Sequence, residues 1–176
     1  MDIKDLIVDI LRFGAAGSCA VVVGYFLIKQ DIEKYLKLKS LEVKKDDRSQ
    51  LLMLRLQANE RLILFIERIN PPNLFLRLHQ HGLTVSEMQA VLCHEIRSEF
   101  QHNVSQQLYV NPVIWQIVAE LKENTLTMIN NAARGFSDSE DGIALGKKVL
   151  QQMTLISADP YVSALELIKK DVQQLF

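Results

Sequence analysis

Four histidines are the residues whose type and spacing come nearest to a chemical site: His79, His81, His94 and His102. Imidazole nitrogens bind zinc, and His94-Glu95 begins like the HExxH motif of zinc proteases. The fifth position is Ser98, so the second histidine ligand of that motif is missing. On a helix, His94 and His102 lie about 80° apart and two turns distant. We therefore expect solvated or hydrogen-bonded helix histidines, and a histidine-based metalloenzyme is the weaker alternative.

Other reactive residue types lack the partners that catalysis needs. Cys93 precedes His94 directly, which on a helix points the two side chains about 100° apart, so a nucleophile–base pair is not implied. The acidic segment from Asp138 to Gly142 lacks the alternating carboxylates of a calcium loop, and its twelfth position is Val149. No glycine-rich phosphate loop or nucleophile elbow is present. We predict a non-enzymatic protein without a cofactor or a metal site.

The charge of the chain argues against nucleic acid as a partner. The 176 residues carry 20 Lys and Arg against 21 Asp and Glu, for a net charge of -1. Basic residues do not interleave with aromatic residues as they do on a nucleic-acid platform. The unusual feature is instead the 48% of apolar residues in a chain that is 23% charged. The mean hydropathy is +0.06, which raises the question of where the apolar residues concentrate.

Much of the apolar excess lies in one run, from Phe13 to Ile28, which contains no charged residue and is bracketed by Arg12 and Lys29. A membrane-spanning helix needs about 20 apolar residues, and the long stems of the two flanking cations extend the run toward the headgroups. In residues 1–11, apolar and charged side chains fall on opposite faces of a helix, which predicts a small amphipathic helix. We predict an amphipathic start and a transmembrane helix over residues 1–28. The alternative is a soluble all-α interaction module in which residues 13–28 form a core helix.

The cations near the run predict its orientation. Lys4 and Arg12 precede it, whereas seven cations follow within twenty residues: Lys29, Lys34, Lys37, Lys39, Lys44, Lys45 and Arg48. Cytoplasmic flanks carry the excess of Lys and Arg. We expect the N-terminus outside and all that follows residue 29 in the cytoplasm.

Small residues in the run suggest a helix–helix contact, because Ala16, Ala20 and Gly24 recur at every fourth position. Such spacing lets helix backbones approach closely in lipid.

Farther along, Asn59 is the polar position in a heptad-like stripe of Leu52, Leu56, Ile63 and Ile66. A polar residue there can fix the register of a coiled coil, although a helix packed into a bundle fits the short stripe better.

In the rest of the chain, the apolar residues are spaced as in helices and no segment alternates as a strand does. Residues 29–49 are predicted to form a charged juxtamembrane helical stalk, and residues 50–176 a cytoplasmic α-helical bundle. Asn70-Pro71-Pro72 ends the first long helix, and Asn73 is the expected cap of the next. Further helices are predicted behind the capping box Thr84–Glu87, behind Asn111-Pro112, after the acidic loop, and behind Asp159-Pro160. A stripe in steps of four runs through Met88, Leu92, Ile96, Phe100, Val104 and Leu108. The fold class is therefore all-α.

Two segments carry a resemblance to a known group of proteins. They are LRLQANERLILFIERI at residues 54–69, followed by Asn70-Pro71, and EIRSEFQHNVSQQLYV at residues 95–110, continuing through Trp115. This part of the chain resembles an uncharacterised family of Bacteroidota membrane proteins. The resemblance implies a single span followed by a cytoplasmic helical domain, and it implies no activity. The charged positions of the two segments suggest an interaction signature, with ion pairs buried between the two helices as one hypothesis.

The patterns together predict a membrane-anchored interaction or scaffold protein of the bacterial inner membrane. Its expected partners are the lipid bilayer and either other copies of itself or other membrane proteins.

Overall fold

The computed structural model describes residues 3–175; within that range the side chains of residues 3–12, Ala20 and Gln30 are not described. The amphipathic pattern predicted for the first residues lies among those side chains. The described residues form helices and no strand, so the fold is all-α, as predicted. Two compact units divide the chain, residues 1–50 and residues 51–176. The further division of the first unit into start, span and stalk stays a prediction.

The first helix, α1, runs from Ile3 to Ile69. The sequence has no Gly or Pro between Tyr25 and Asn70, so nothing interrupts its backbone hydrogen bonds there. In the first unit its described side chains are exposed apart from the half-buried Gly24. In the second unit, Leu62, Phe65, Ile66 and Ile69 of the same helix are fully buried. The stripe around Asn59 therefore packs into a bundle, as expected.

The second helix, α2, spans Pro71–Leu78 and begins earlier than predicted. Asn70 occupies the cap position, and Pro71 and Pro72 fill the first helical turn. Prolines fit there because the first backbone N–H groups of a helix have no helical acceptor. Asn73 therefore lies inside the helix, and the prediction that it caps this helix is wrong. Its amide donates instead to the carbonyl oxygen of Glu67, at 3.0 Å.

The third helix, α3, spans Val85–Asn103 behind the predicted capping box. The Thr84 hydroxyl accepts from the Glu87 backbone N–H, and the Glu87 carboxylate accepts from the Thr84 backbone N–H at 2.9 Å. The stripe predicted behind it is only partly right: Met88, Leu92 and Ile96 are buried, but a 3₁₀ turn replaces the α-helix at Val104–Leu108. Each step of four residues rotates about 40° around a helix, so the stripe turns away from the core.

Three helices complete the second unit: α4 at Pro112–Ala133, α5 at Gly142–Thr154 and α6 at Pro160–Gln173. The side chains of Asn111, Asp141 and Asp159 cap them, each accepting backbone N–H bonds from the first turn. Prolines at the start of α4 and α6 reinforce these starts. The core that the helices enclose draws apolar residues from every helix of the unit, from Ala58 to Ile168. Helix packing thus accounts for most apolar residues after residue 50.

Candidate interaction surfaces

A charged groove runs between the last turns of α1 and the end of α3. Its volume is about 540 Å³, and it is lined by Gln57, Glu60, Arg61, Leu64, Phe65, Arg68, Glu99, His102 and Asn103. Both of its walls come from the two segments that carry the family resemblance. Its lining includes two carboxylates and two guanidinium groups, so the groove offers hydrogen bonds and charges of both signs rather than a site for one anion or cation.

Ion pairs connect these helices at the surface. The Arg68 guanidinium lies 2.6 Å from the Glu99 carboxylate and joins α1 to α3. Arg77 of α2 pairs with Glu95 of α3. The Arg68 side chain is 53% exposed and that of Glu99 is 13% exposed. The hypothesis of ion pairs between the two segments therefore holds for Arg68 and Glu99, but the pair is only half-buried, and solvent screens much of its attraction.

A stack of aromatic rings lies behind the groove. The ring centroids of Phe65 and Phe100 are 5.8 Å apart, and those of Phe100 and Trp115 are 5.3 Å apart. The Lys122 ammonium lies 4.3 Å from the Phe100 centroid, within range of a cation–π interaction. The stack links α1, α3 and α4, so it holds the wall of the groove rigidly. Trp115 is the single tryptophan of the chain.

An apolar groove lies on another side of the bundle, between α2 and α5. Its volume is about 450 Å³, and it is lined by Pro72, Phe75, Leu76, His79, Met88, Gly142, Ile143, Gly146, Lys147 and Leu150. Leu76 is 85% exposed beside it, and Ile143 and Leu150 present part of their surface to solvent. An apolar concavity with exposed leucines at its rim is typical of a docking site for an amphipathic helix.

Two glycines of α5 form the floor of this groove. A Cβ atom at Gly142 would lie 2.9 Å from the Leu83 carbonyl oxygen, and one at Gly146 would lie 3.2 Å from the Phe75 ring. The Gly142 N–H also donates to that Leu83 oxygen, at 2.9 Å. The absence of side chains therefore lets α5 approach α2 and the start of α3 closely.

Below the surface, Tyr161 of α6 pairs with Thr125 of α4. Their hydroxyl oxygens are 2.6 Å apart, and the Thr125 hydroxyl also donates to the Leu121 carbonyl oxygen. Because that single hydroxyl hydrogen is committed to Leu121, the Tyr161 hydroxyl is the donor to Thr125. Burial raises the pKa of Tyr161 to about 12. The pair is a neutral structural contact at physiological pH.

The residues predicted for a helix–helix contact lie in different surroundings. Ala16 is exposed and Gly24 is half-buried, while the side chain of Ala20 is outside the described residues. Asn59 is 1% exposed. Its side-chain amide donates to the Arg55 carbonyl oxygen at 2.9 Å, and its own side-chain oxygen accepts no hydrogen bond among the described residues. Asn59 thus belongs to the interior of the second unit, and the contact between helices in the first unit stays a prediction.

The four histidines do not gather. His79 and His81 face each other with ring centroids 5.1 Å apart, whereas His94 and His102 are exposed on α3. Within the described part of the chain, no group of three or more His, Cys, Asp or Glu side chains is placed to hold a metal ion. Cys93 is buried, and burial raises the pKa of its thiol. A higher pKa means less thiolate and a poorer nucleophile.

The sequence patterns missed the apolar groove. Leu74 and Phe75 are buried in the core, and Leu76 follows them in a helix too short for its spacing to show which apolar residue faces out. The available signal was the pair Gly142 and Gly146, four residues apart on one helix face, which favours close packing of a neighbour. Only the tertiary structure shows that the neighbour is Phe75.

The helices and surfaces define an all-α protein whose second unit is a helical bundle with a charged groove and an apolar groove on its surface. The described part of its first unit belongs to one helix, α1. By length and composition, α1 is the one described helix able to cross a membrane; its apolar window has a mean hydropathy of 1.3, and none of it is buried within the chain. The chain belongs to the DUF7935 family, a family of unknown function whose model matches residues 5–175. No curated protein and no solved structure matches the chain.

The family assignment confirms the expectation of an uncharacterised family. The Bacteroidota origin and the membrane topology implied by the resemblance stay predictions.

Proposed function

We propose that this protein is a membrane-anchored interaction protein of the bacterial inner membrane. Its single span inserts with the N-terminus outside, and its helical bundle docks partner proteins on the cytoplasmic side. The observation that carries the proposal is the apolar window of α1, which fits a span in length and composition and is not buried within the chain. The seven cations that follow the window support the orientation.

The exposure of the window favours an anchor over a core helix. A core helix buries its apolar side chains against neighbouring elements, whereas Phe13, Val21 and Phe26 are each at least 60% exposed. Lipid would cover such side chains favourably. The soluble interaction module, which needs this window to be covered by protein, is therefore the less favoured reading.

The bundle supplies the docking surface in this proposal. The groove between α2 and α5 combines an apolar floor with the exposed Leu76 and with Lys147 at its rim. Such a groove suits an amphipathic helix of a partner protein, whose apolar face fills the groove and whose acidic residue pairs with the lysine.

Fractionation tests the anchor. Membranes from cells that express the full chain are washed with sodium carbonate, and the chain is expected in the pellet. A chain with Val21→Glu and Val23→Lys places charges inside the window and is expected to move to the soluble or aggregated fraction. Release of the unaltered chain by carbonate would overturn the anchor.

A pair of variants tests the groove. Leu76→Asp puts a charge at the rim of the groove, and Leu108→Asp puts one on a leucine that is similarly exposed, 77% against 85%, but does not line it. In affinity purification from cross-linked native membranes, proteins recovered with the unaltered chain and with Leu108→Asp should be lost with Leu76→Asp. Equal recovery with both variants would contradict docking in this groove.

A further inference from the structure

The part of α1 that follows the apolar run exposes large apolar side chains. Ile32, Tyr35, Leu36, Leu38 and Val43 are between 52% and 63% exposed. These residues lie beyond the predicted span, so lipid does not cover them there. A soluble surface rarely presents so many large apolar side chains along one short helical segment unless another protein covers them.

The exposed apolar residues continue a heptad pattern that begins inside the run. Ile28, Ile32, Tyr35 and Lys39 follow one another in steps of four, three and four residues. From Ile28 toward the N-terminus, the row continues in steps of three, four, three and four residues through Tyr25, Val21, Ser18 and Gly14. Steps of three and four place residues on one face of a helix, which is the seam of a coiled coil. We call these eight residues the α1 seam.

The charges of this segment leave the α1 seam free. Lys34 and Lys37 lie on the opposite side of the helix, at about 160° and 140° from Ile32. The positions that flank the seam hold Lys29, Asp31, Leu36 and Leu38. In a parallel pair the flanking position before one seam residue faces the flanking position after the next, so Lys29 faces Gly24 and Asp31 faces Leu36 of the other copy. Two identical seams therefore meet without facing like charges until Lys39. One lysine at a seam position is tolerated in a coiled coil and specifies its register at a cost in stability.

One glycine of the run, Gly14, lies on the α1 seam. A Cβ atom at Gly14 would meet no atom within 4 Å, so no packing within the described chain requires a glycine there. The row of Ala16, Ala20 and Gly24 points to a different face. Continued in steps of seven from Gly24, that row reaches Asp31, Leu38 and Lys45, so charges break it outside the run. The α1 seam, by contrast, carries no charge from the run through Tyr35.

We infer that the α1 seam binds the same seam of a second copy of this chain in parallel. The inference rests on the proposed membrane anchor, because spans inserted in one direction hold two helices parallel and bring equal residues to equal height. A parallel arrangement aligns Ile28, Ile32 and Tyr35 of the two copies. Helix pairing then covers apolar side chains of the first unit that lie beyond the predicted span and are exposed there.

Cysteine cross-linking of the full chain in its membrane tests the pairing. Cys19 is replaced by Ala, and the buried Cys93 is kept, so that the chain without an added cysteine measures the background. Ile32→Cys places a thiol on the seam, and Lys34→Cys, two residues away, places one on the opposite face. Two copies with different tags are co-expressed, washed membranes are oxidised with copper phenanthroline, and capture through one tag is followed by detection of the other.

The expected result is a product of twice the chain's mass that carries both tags, several-fold stronger for Ile32→Cys than for Lys34→Cys. Equal products from the two variants, products at background level, or a product with a different protein would each overturn the self-association. Such a failure in carbonate-washed membranes leaves the anchor intact, which separates the two proposals. Release of the chain by the wash would overturn the anchor and the parallel pairing together.

Discussion

At the scale of single residues, the buried contact between Tyr161 and Thr125 shows how a polar group is accommodated in this core. Tyr161 is 3% exposed and Thr125 is 1% exposed. Burial of a hydroxyl without a partner costs about 1 to 3 kcal/mol, so the chain of hydrogen bonds from Tyr161 through Thr125 to Leu121 removes that cost. The same burial favours the neutral phenol over the phenolate.

This environment predicts a loss of stability at alkaline pH. Because the pKa of Tyr161 rises from 10 in the unfolded chain to about 12 in the fold, the neutral phenol stabilises the fold fully below pH 10. That contribution disappears as the pH rises from 10 to 12. Tyr161→Phe should lower the free energy of unfolding by about 1 kcal/mol at pH 8 through the lost hydrogen bond. Because ionisation of the unfolded tyrosine costs the unaltered chain about 2 kcal/mol by pH 12, Tyr161→Phe should become the more stable chain between pH 10 and pH 12.

Denaturant unfolding of the detergent-solubilised chain, followed by Trp115 fluorescence, measures both effects. Tyr109→Phe, at a tyrosine outside the pair, controls for the loss of a hydroxyl group. A stability difference between Tyr161→Phe and the unaltered chain that is the same at pH 8 and pH 12 would contradict the prediction.

At the scale of elements, α5 depends on two glycines for its position. Gly142 packs against the Leu83 carbonyl oxygen and Gly146 against the Phe75 ring. A carbonyl oxygen in the backbone cannot move aside without shifting the start of α3, whereas an aromatic ring can rotate by a small amount. The two positions should therefore tolerate an added methyl group unequally.

Gly142→Ala is expected to lower the free energy of unfolding by about 1 to 3 kcal/mol, and Gly146→Ala by less. Gly135→Ala is the matched control, since a Cβ there would be at an ordinary contact distance of 3.6 Å from the Ala132 carbonyl oxygen. Denaturant unfolding of the three variants checks this order. Equal stability of Gly142→Ala and Gly135→Ala would show that α5 packs less closely than the structure has it.

At the scale of the whole molecule, the buried core and the exposed apolar residues of α1 lie in different parts of the chain. Every buried apolar residue of the described core lies after residue 57, from Ala58 onward. The exposed apolar residues of α1 lie mainly in the first unit. A chain of more than 100 residues with one continuous core is large enough to fold without a partner.

We therefore expect residues 51–176, expressed alone, to be soluble without detergent. The fragment should give a helical circular dichroism spectrum and one cooperative thermal transition that coincides with the change in Trp115 fluorescence. The full chain, purified in the same buffer, is the control and should require detergent. A fragment that aggregates or melts without cooperativity would contradict an independent core in this unit.

The sequence by itself determined the fold class and most helix starts. Caps act locally: Thr84, Asn111 and Asp159 each bond to backbone N–H groups two or three residues away, so the pattern of residues is sufficient to locate them. The prediction that Asn73 caps α2 is wrong because Pro71 and Pro72 fit the first turn of a helix, so the helix begins before Asn73. The prediction that the apolar stripe continues on α3 as far as Leu108 is wrong. Residues spaced four apart turn gradually around a helix, so a stripe of this spacing leaves the face that packs on the core.

Only the tertiary structure decided which side chains form surfaces. The pair of Arg68 and Glu99 joins residues that are 31 positions apart in the chain. The apolar groove likewise brings α2, at Pro71–Leu78, beside α5, at Gly142–Thr154. Their distances depend on how helices pack, and packing is determined by all contacts together rather than by any local pattern. Asn59 shows the same difference: the sequence identified it as the polar member of an apolar stripe, whereas its burial in the bundle follows from the neighbours that the fold brings to it.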